Sequence, residues 1–417
     1  MEGCAHVRCS DRLTLKGRAR ATVVIPAYRN ADVGACLESL FASRSTACPF
    51  AVHVVLNDAT AQVEEIVAAF AEGLTTTRLT ANHGVSGAFN QGFAAAETEY
   101  VVQLQDDVRV QPGWLGHLIE CADAAPDAGA VASLTLDGDG IVSDPGWIVT
   151  VDGRTTPGLI GGSRDPDDYV GARPIDYHGS TGMLVRRRAW QSVGGFDHGY
   201  YPAYYGDVDF CWRLRERGWR VLLEPRSRVR HAGHLSSTSP YREFLAVRNR
   251  ARFMAAHQAA LGACSAVVGD EAAVDRAIMA LAAMPPGPVP PDPTDDELGR
   301  LRERLALEPA AFLRLERDVR TEYATWLENA LTDRRTAHEH LERELRHTTH
   351  LLAEAGERER ALTRRLEESD RRAAEADEAN RRFAASRSWR LTAPLRHVRR
   401  RLGRGDASSA PGRRGAP

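Results

Sequence analysis

Apolar positions in the first 260 residues fall into short dense runs separated by stretches of helical spacing. Ala21–Pro26 (ATVVIP) and Ala51–Leu56 (AVHVVL) predict strands buried on both faces. Between them Val33, Cys36, Leu37, Leu40 and Phe41 recur at helical spacing and predict a helix over Val33–Ala42. Val63–Phe70 predicts a second helix, Thr77–Thr80 a short strand, Val85–Ala96 a helix and Tyr100–Leu104 a strand. This β-α-β-α-β-α-β order implies an α/β domain with a mostly parallel sheet covered on both faces. Such sheets bind ligands beyond the carboxyl ends of their strands. The residues just after each strand are therefore the first candidates for chemistry.

The pattern changes further on. Val208–Arg217 predicts a helix, Trp219–Leu223 a strand, and Glu224-Pro225 a turn before Val229-Arg230-His231. The stretch 285–293 (PPGPVPPDP) is a stiff linker. Beyond it Glu, Arg, Ala and Leu dominate. Leu341, Leu345, Leu352, Ala355, Leu362, Leu366, Ala373 and Ala376 follow an approximate heptad, interrupted by Arg334, His338, Thr348, Glu359 and Ser369. That predicts a long amphipathic helix or imperfect coiled coil, with a self-folded helical hairpin as the alternative. The expected division is a tail over 1–20, an α/β domain over 21–262, a helical segment and Pro-rich linker over 263–294, the long helix over 295–385, and a tail over 386–417.

Charge refines this picture. The 417 residues carry 54 Lys+Arg against 56 Asp+Glu, so global binding of a polyanion, nucleic acid included, is not expected. The last 32 residues differ: nine Arg face one acid, Asp406. Trp389, Leu391, Leu395 and Val398 sit among those arginines, a composition suited to an anionic membrane surface or to a solvated tail. Seven cysteines, none in a Cys-x-x-Cys pair, argue against a zinc site and for a reducing compartment. Residues 1–20 have no apolar core of a secretory signal, and no apolar run is long enough to span a bilayer. The expected location is cytoplasmic, peripheral to a membrane.

Two acidic clusters stand where chemistry is expected. Gln105-Asp106-Asp107-Val108 follows the strand Tyr100–Leu104, and carboxylates there suit a hard divalent cation and, through it, a diphosphate. A solvated turn is the bland alternative. Gly206-Asp207-Val208-Asp209 follows the aromatic run Tyr200-Tyr201-Pro202-Ala203-Tyr204-Tyr205 and opens a helix, where the dipole favours a carboxylate. Either Asp207 or Asp209 could equally be an N-cap. His231 could complete a metal site begun by a carboxylate.

The order of these pieces resembles the inverting family 2 glycosyltransferases with the GT-A fold. The matching segments are Val24-Ile25-Pro26-Ala27-Tyr28, Asn57-Asp58-Ala59-Thr60, Asn82-x-Gly84-x-x-Gly87-Ala88-x-Asn90-x-Gly92, Gln105-Asp106-Asp107-Val108, Gly194-Gly195-Phe196-Asp197, Asp207-Val208-Asp209 with Arg213, and His231 followed by Ser236 or Ser237. The wording is closest to the rhamnosyltransferase-like branch that builds bacterial surface glycans, which Arg248-Asn249 also resembles. No Gln-x-x-Arg-Trp element of processive synthases is present. The resemblance implies transfer of a sugar from a nucleotide-diphospho-sugar, dTDP-rhamnose in that branch, to a hydroxyl of a glycan or lipid-linked acceptor. It implies Mg²⁺ or Mn²⁺ at Asp107, with His231 as a second metal or diphosphate contact and His234 as its rival. Gln105 stands where the family's first metal-motif acid would be. Asp106 would lie against ribose or metal, Asn57 or Asp58 would read the nucleobase, and Pro26 and Tyr28 would shape its pocket. Asn82, Gly87 and Asn90 would line the donor site. Asp207 matches the base, with Gly206 in place of the usual neighbouring Glu.

The chemistry is coherent. A metal and a histidine neutralise the leaving diphosphate, and a carboxylate opposite it takes the acceptor proton, giving inversion at the anomeric carbon. A nucleotidyltransferase would bring a Gly-rich, Lys-containing loop after the first strand, where this chain has Pro26-Ala27-Tyr28-Arg29-Asn30. An inactive glycosyltransferase-like scaffold acting through its C-terminal helix is the other alternative. In the active case that helix would mediate self-association or bind a glycan-assembly partner. Ser388–Arg396 resembles a tail element of bacterial surface-glycan enzymes.

Overall fold

A computed structural model describes residues 19–45, 48–231, 239–262, 264, 266–267 and 269–385. The first half of the sheet region is β1 (Ala21–Ala27), α1 (Val33–Ala42), β2 (Phe50–Asn57), α2 (Ala61–Ala68), β3 (Thr75–Leu79), α3 (Gly84–Ala95), β4 (Tyr100–Gln103), β5 (Val108–Val110) and α4 (Trp114–Ala124). The second half is β6 (Ala128–Leu136), β7 (Val142–Asp144), β8 (Trp147–Val149), β9 (Thr155–Pro157), β10 (Arg173–Pro174), β11 (Met183–Arg186), α5 (Arg187–Ser192), α6 (Gly206–Glu216) and β12 (Arg220–His231). Then come α7 (Ser239–Leu261), α8 (Glu271–Ala282), α9 (Asp295–Leu305) and α10 (Pro309–Ala385).

The strands form one sheet in the order β10-β12-β6-β11-β4-β1-β2-β3, with β5 on β12 and β7 on β6. β1 pairs in parallel with β2 and β4, and β2 with β3. Their side chains alternate between two cores. Ala21, Val23, Ile25, Val52, Val54 and Val102 enter one, with Leu37, Leu40 and Leu118 from α1 and α4. Val24, Val55 and Val101 enter the other, with Phe89, Phe93, Trp190 and Phe210. A strand buried on both faces reads as a continuous apolar run, which is why this half was visible in the sequence. The result is a GT-A-like α/β domain with a mostly parallel sheet and a helical C-terminal region.

Two features differ from expectation. β11 lies antiparallel between β4 and β6 in the middle of the sheet. Glu224-Pro225 is not a turn: β12 runs through it as one strand, with a register shift between Glu224 and Arg228. The irregularity accommodates a proline that cannot donate to the ladder.

The chain divides into two compact units, residues 1–327 and 328–417. Past the Pro-rich stretch, α9 and the start of α10 still belong to the first unit. Arg217 pairs with Glu297 at 2.8 Å, Gln91 donates to the Leu305 carbonyl at 3.1 Å, and Phe312 and Val319 are buried. The second unit, among its described residues, is helix. Ion pairs such as Arg372–Glu368 and Arg382–Glu378 stitch its turns, and Leu331 and Leu345 are exposed.

Candidate functional site

The carboxyl ends of β1, β2 and β4 lie side by side, because Ala27 is in register with Leu56, and Val24 with Gln103. Pro26 lies near the end of β1 and Tyr28 just after it, both half-buried, with the Arg29 guanidinium 4.6 Å from the Tyr28 ring centre. Asn30 donates to Asp106 Oδ1 at 3.5 Å, a contact the sequence did not suggest. Asp58, exposed just after β2, is held at φ 58°. That is a left-handed conformation costly for most side chains and tolerated by Asp.

Asp107 and His231 meet although the sequence separates them widely. β5 pairs antiparallel with the end of β12, placing His231 opposite Val108. The neighbouring Asp107 Oδ1 is then 3.2 Å from His231 Nε2. That oxygen is buried and accepts no hydrogen bond among the described residues. Burial, and next the charge of Asp107, push the Asp106 carboxyl up to about 7. A carboxylate oxygen and an imidazole nitrogen this close fit a shared divalent cation, with further ligands left to a bound diphosphate. Among the described residues no three His, Cys, Asp or Glu side chains converge as a metal cage. Gln105 is half-buried beside the pair; His234, Ser236 and Ser237 lie outside the described residues.

Several residues expected to touch the donor are occupied by the protein itself. Asn57 is buried: its Nδ2 donates to Asn82 Oδ1 at 3.0 Å and its Oδ1 accepts from the His83 N–H at 2.8 Å. Asn82 Oδ1 also accepts from the Gly84 N–H at 2.7 Å. Asn57 and Asn82 therefore brace the loop that opens α3. Asn90 is fully buried in the core, where Oδ1 accepts from the Phe196 N–H and Trp190 Nε1 and Nδ2 donates to the Phe196 carbonyl at 2.9 Å. It pins the Gly194-Gly195-Phe196 turn and has no capacity left for a ligand. Gly87 packs beneath His83, whose ring stacks on Phe312 with centroids 3.7 Å apart.

The second acidic cluster splits into two roles. Asp209 is buried and bonded to Arg213, Tyr200 and His257, with His257 Nε2 at 3.0 Å. Burial opposes its charge, but Arg213 and His257 overcome that and hold its carboxyl at about 2. Neither acid is an N-cap, since the cap position is Tyr205 without a side-chain bond. Asp207, half-buried, faces a cavity of about 380 Å³ lined also by Arg154, Tyr177, Tyr204, Tyr205 and Arg250. Burial, opposed by the Val208 N–H and assisted by the Asp144 charge, raises the Asp207 carboxyl to about 6. Tyr204 and Tyr205 lead into it at φ 68° and 64°. Asn249 secures that strained loop, donating to the carbonyls of Ala203 and Tyr204 at 2.9 Å each. Gly206 makes room for α3: a Cβ there would lie 2.4 Å from Ser86 Oγ.

Sequence reasoning missed Asp144, His178, Arg154 and Arg250. His178 is buried with Nε2 3.5 Å from Asp144 Oδ1. The polar run Asp176–Thr181 ahead of an apolar strand was the available signal. It bridges toward β4, where Gln103 donates to Ser180 Oγ at 3.5 Å.

Carboxylates thus stand beyond the parallel strand ends, and a further acid, Asp207, lines a separate cavity. Residues 22–149 match the Glycosyl transferase family 2 profile, and the chain carries a domain of that family. It is 30% identical over 161 residues to the N-acetylglucosaminyl-diphospho-decaprenol L-rhamnosyltransferase of Mycobacterium tuberculosis, covering 34% of this chain and 50% of the relative. It is also 30% identical over 152 residues to the pre-mycofactocin glycosyltransferase of the same organism, covering 36% and 30%. The chain thus spans about half the length, or less, of these curated relatives. Among solved structures, GalNAc-T7 with UDP, GalNAc and Mn²⁺ superimposes with a TM-score of 0.48 at 12% identity, covering 73% of this chain and 58% of that one.

Proposed function

We propose that the protein transfers a sugar, with inversion, from a nucleotide-diphospho-sugar to a hydroxyl of a glycan or lipid-linked acceptor. The observation that carries this reading is the approach of Asp107 Oδ1 to His231 Nε2, 3.2 Å, at the strand ends. Asp107 and His231 would hold Mg²⁺ or Mn²⁺, which when bound neutralises charge on the departing diphosphate. Pro26, Tyr28 and Asp58 would border the nucleoside, with Asn57 and Asn82 fixing the loop behind it. Asp106 would face the ribose or the metal. Asp207 would accept the proton of the attacking hydroxyl as the new bond forms. A carboxyl raised to about 6 is a stronger base than an ordinary one and still ionised at neutral pH. The rhamnosyltransferase relative supports a deoxysugar donor such as dTDP-rhamnose.

Self-association through residues 328–385 is part of the proposal, supported by the exposed Leu331 and Leu345. So is a peripheral membrane contact through the basic stretch 386–417, which lies outside the described residues. No helix among the described residues is long and apolar enough to cross a membrane. Purified protein should gain thermal stability from one of dTDP, UDP, GDP or CMP when Mn²⁺ is present, and lose that gain in Asp107→Asn. Indifference to every nucleotide would remove the transferase reading.

A further inference from the structure

The cavity at Asp207 has a charge pattern that a neutral sugar does not explain. Arg154, from the tip of the β8–β9 hairpin, and Arg250, from α7, both line it, and Asp207 is the only carboxylate among its lining residues. Arg154 pairs loosely with Asp152 at 3.3 Å, both ends well exposed, which commits little of its guanidinium. Arg250 is half-buried and makes no hydrogen bond or ion pair among the described residues, with Asp152 and Tyr205 within range of its charge. The architecture keeps it there. Asn249 locks α7 to the tyrosine loop, and Tyr205 Oη donates to the Gly153 carbonyl at 2.9 Å, drawing the hairpin to the same wall. A guanidinium is a pure donor with a planar fork that matches two phosphate oxygens, and a sugar hydroxyl uses that fork poorly. Tyr204 and Tyr205 offer faces for a pyranose, and exposed Val247 extends the rim as an apolar surface.

We propose that Arg154 and Arg250 form an anion subsite that selects acceptors carrying a phosphoryl or diphosphoryl group next to the sugar that Asp207 deprotonates. This rests on the transferase reading for the role of Asp207, but the anion subsite can be tested without turnover. The anion would also leave the two arginines offsetting its field at Asp207, so that a charged acceptor does not protonate the base.

The test is calorimetric titration of the full chain in EDTA with farnesyl diphosphate and, separately, inorganic pyrophosphate. Saturable binding is expected, weakened at least tenfold in Arg154→Ala/Arg250→Ala and unchanged in Asp107→Asn. Arg154→Lys and Arg250→Lys, which keep charge and lose the fork, should each weaken it less. Their thermal unfolding shows whether the fold is intact. Tighter binding of farnesyl diphosphate than pyrophosphate assigns the anion to a lipid carrier; equal binding assigns it to a soluble phosphorylated glycan. Failure of both diphosphates to bind, or binding that Asp107→Asn abolishes and the double variant keeps, overturns the subsite. Loss of the nucleotide response with retained diphosphate binding would instead overturn the transferase reading alone.

Discussion

At the scale of single residues, the most informative side chain is Asp207, because its chemistry and its stability pull in opposite directions. Its carboxyl is raised from an ordinary carboxylate value to about 6, chiefly by burial. A group whose folded pKa is raised stabilises the fold fully below its unfolded pKa and loses that contribution as pH rises through the folded one. At pH 8 the ionised Asp207 therefore costs up to about 3 kcal/mol. Asp207→Asn should raise Tm at pH 8, with the gain shrinking toward pH 4, while lowering kcat by about 10²–10⁴. In the wild type, kcat should fall as pH drops through about 6. A variant that is equally stable at both pH values would mean the carboxyl is not strained by burial. Asn90 makes the contrasting case. Its amide is consumed by Phe196, Trp190 and His198, so Asn90→Ala should destabilise by about 2–4 kcal/mol through orphaned buried groups. The donor KM should stay unchanged in whatever folded enzyme remains; a selective rise in KM would put Asn90 back in the donor site.

At the scale of elements, α6 is held to α7 by a charge cluster that is buried at Asp209 and His257 and exposed at Glu216. His257 bridges Asp209 and Glu216 at 3.0 Å each, and Asp209 also takes Arg213. Burial lowers the His257 imidazolium, but the bonds to Asp209 and Glu216 outweigh it and raise its pKa. The stabilisation is then present below the unfolded histidine pKa and is lost as pH rises through the folded one. The Tm difference between wild type and His257→Gln should be larger at pH 6 than at pH 9. An equal gap would show that His257 contributes packing alone. The same elements show what was legible beforehand. β1, β2 and β4 announce themselves as continuous apolar runs and α1 as a set at helical spacing, because each buries what it presents. Asp107 and Asp207 could be singled out because each follows a predicted strand or opens a predicted helix. The pairing of Asp107 with His231 came from the family resemblance and from no local pattern, since it depends on β5 pairing with the far end of β12. The bracing roles of Asn57 and Asn90 gave no separate signal, because a polar side chain near glycines satisfies buried backbone as readily as it contacts a ligand. Arg250 gave no local signal at all, because its meaning comes from the hairpin facing it.

At the scale of the molecule, composition changes at 285–293, whereas the compact unit runs on to Leu327. The segment between is not a spacer. Phe312 covers His83, and Phe312, Val319, Tyr323 and Trp326 form one apolar cluster with Tyr201, Phe244 and Leu245. Tyr201 belongs to the loop that leads to Asp207, and His83 to the loop that Asn57 and Asn82 brace. The start of α10 thus supports both halves of the site from outside the sheet. A chain ending at residue 327 should keep its Tm and its nucleotide response while losing any self-association that residues 328–385 provide. A chain ending at residue 306 forfeits the burial of Phe312 and Val319, about 1.5–3 kcal/mol each. It should melt earlier, and the nucleotide-induced stabilisation should shrink as the His83 loop loosens. Scanning calorimetry of the two truncations, with and without nucleotide and Mn²⁺, separates the roles. If the shorter chain matches the longer in both Tm and nucleotide response, the helix start is an appendage and the composition boundary is the functional one. If only the longer chain responds, the catalytic unit of this transferase domain includes a helix that its family profile, ending at residue 149, does not reach.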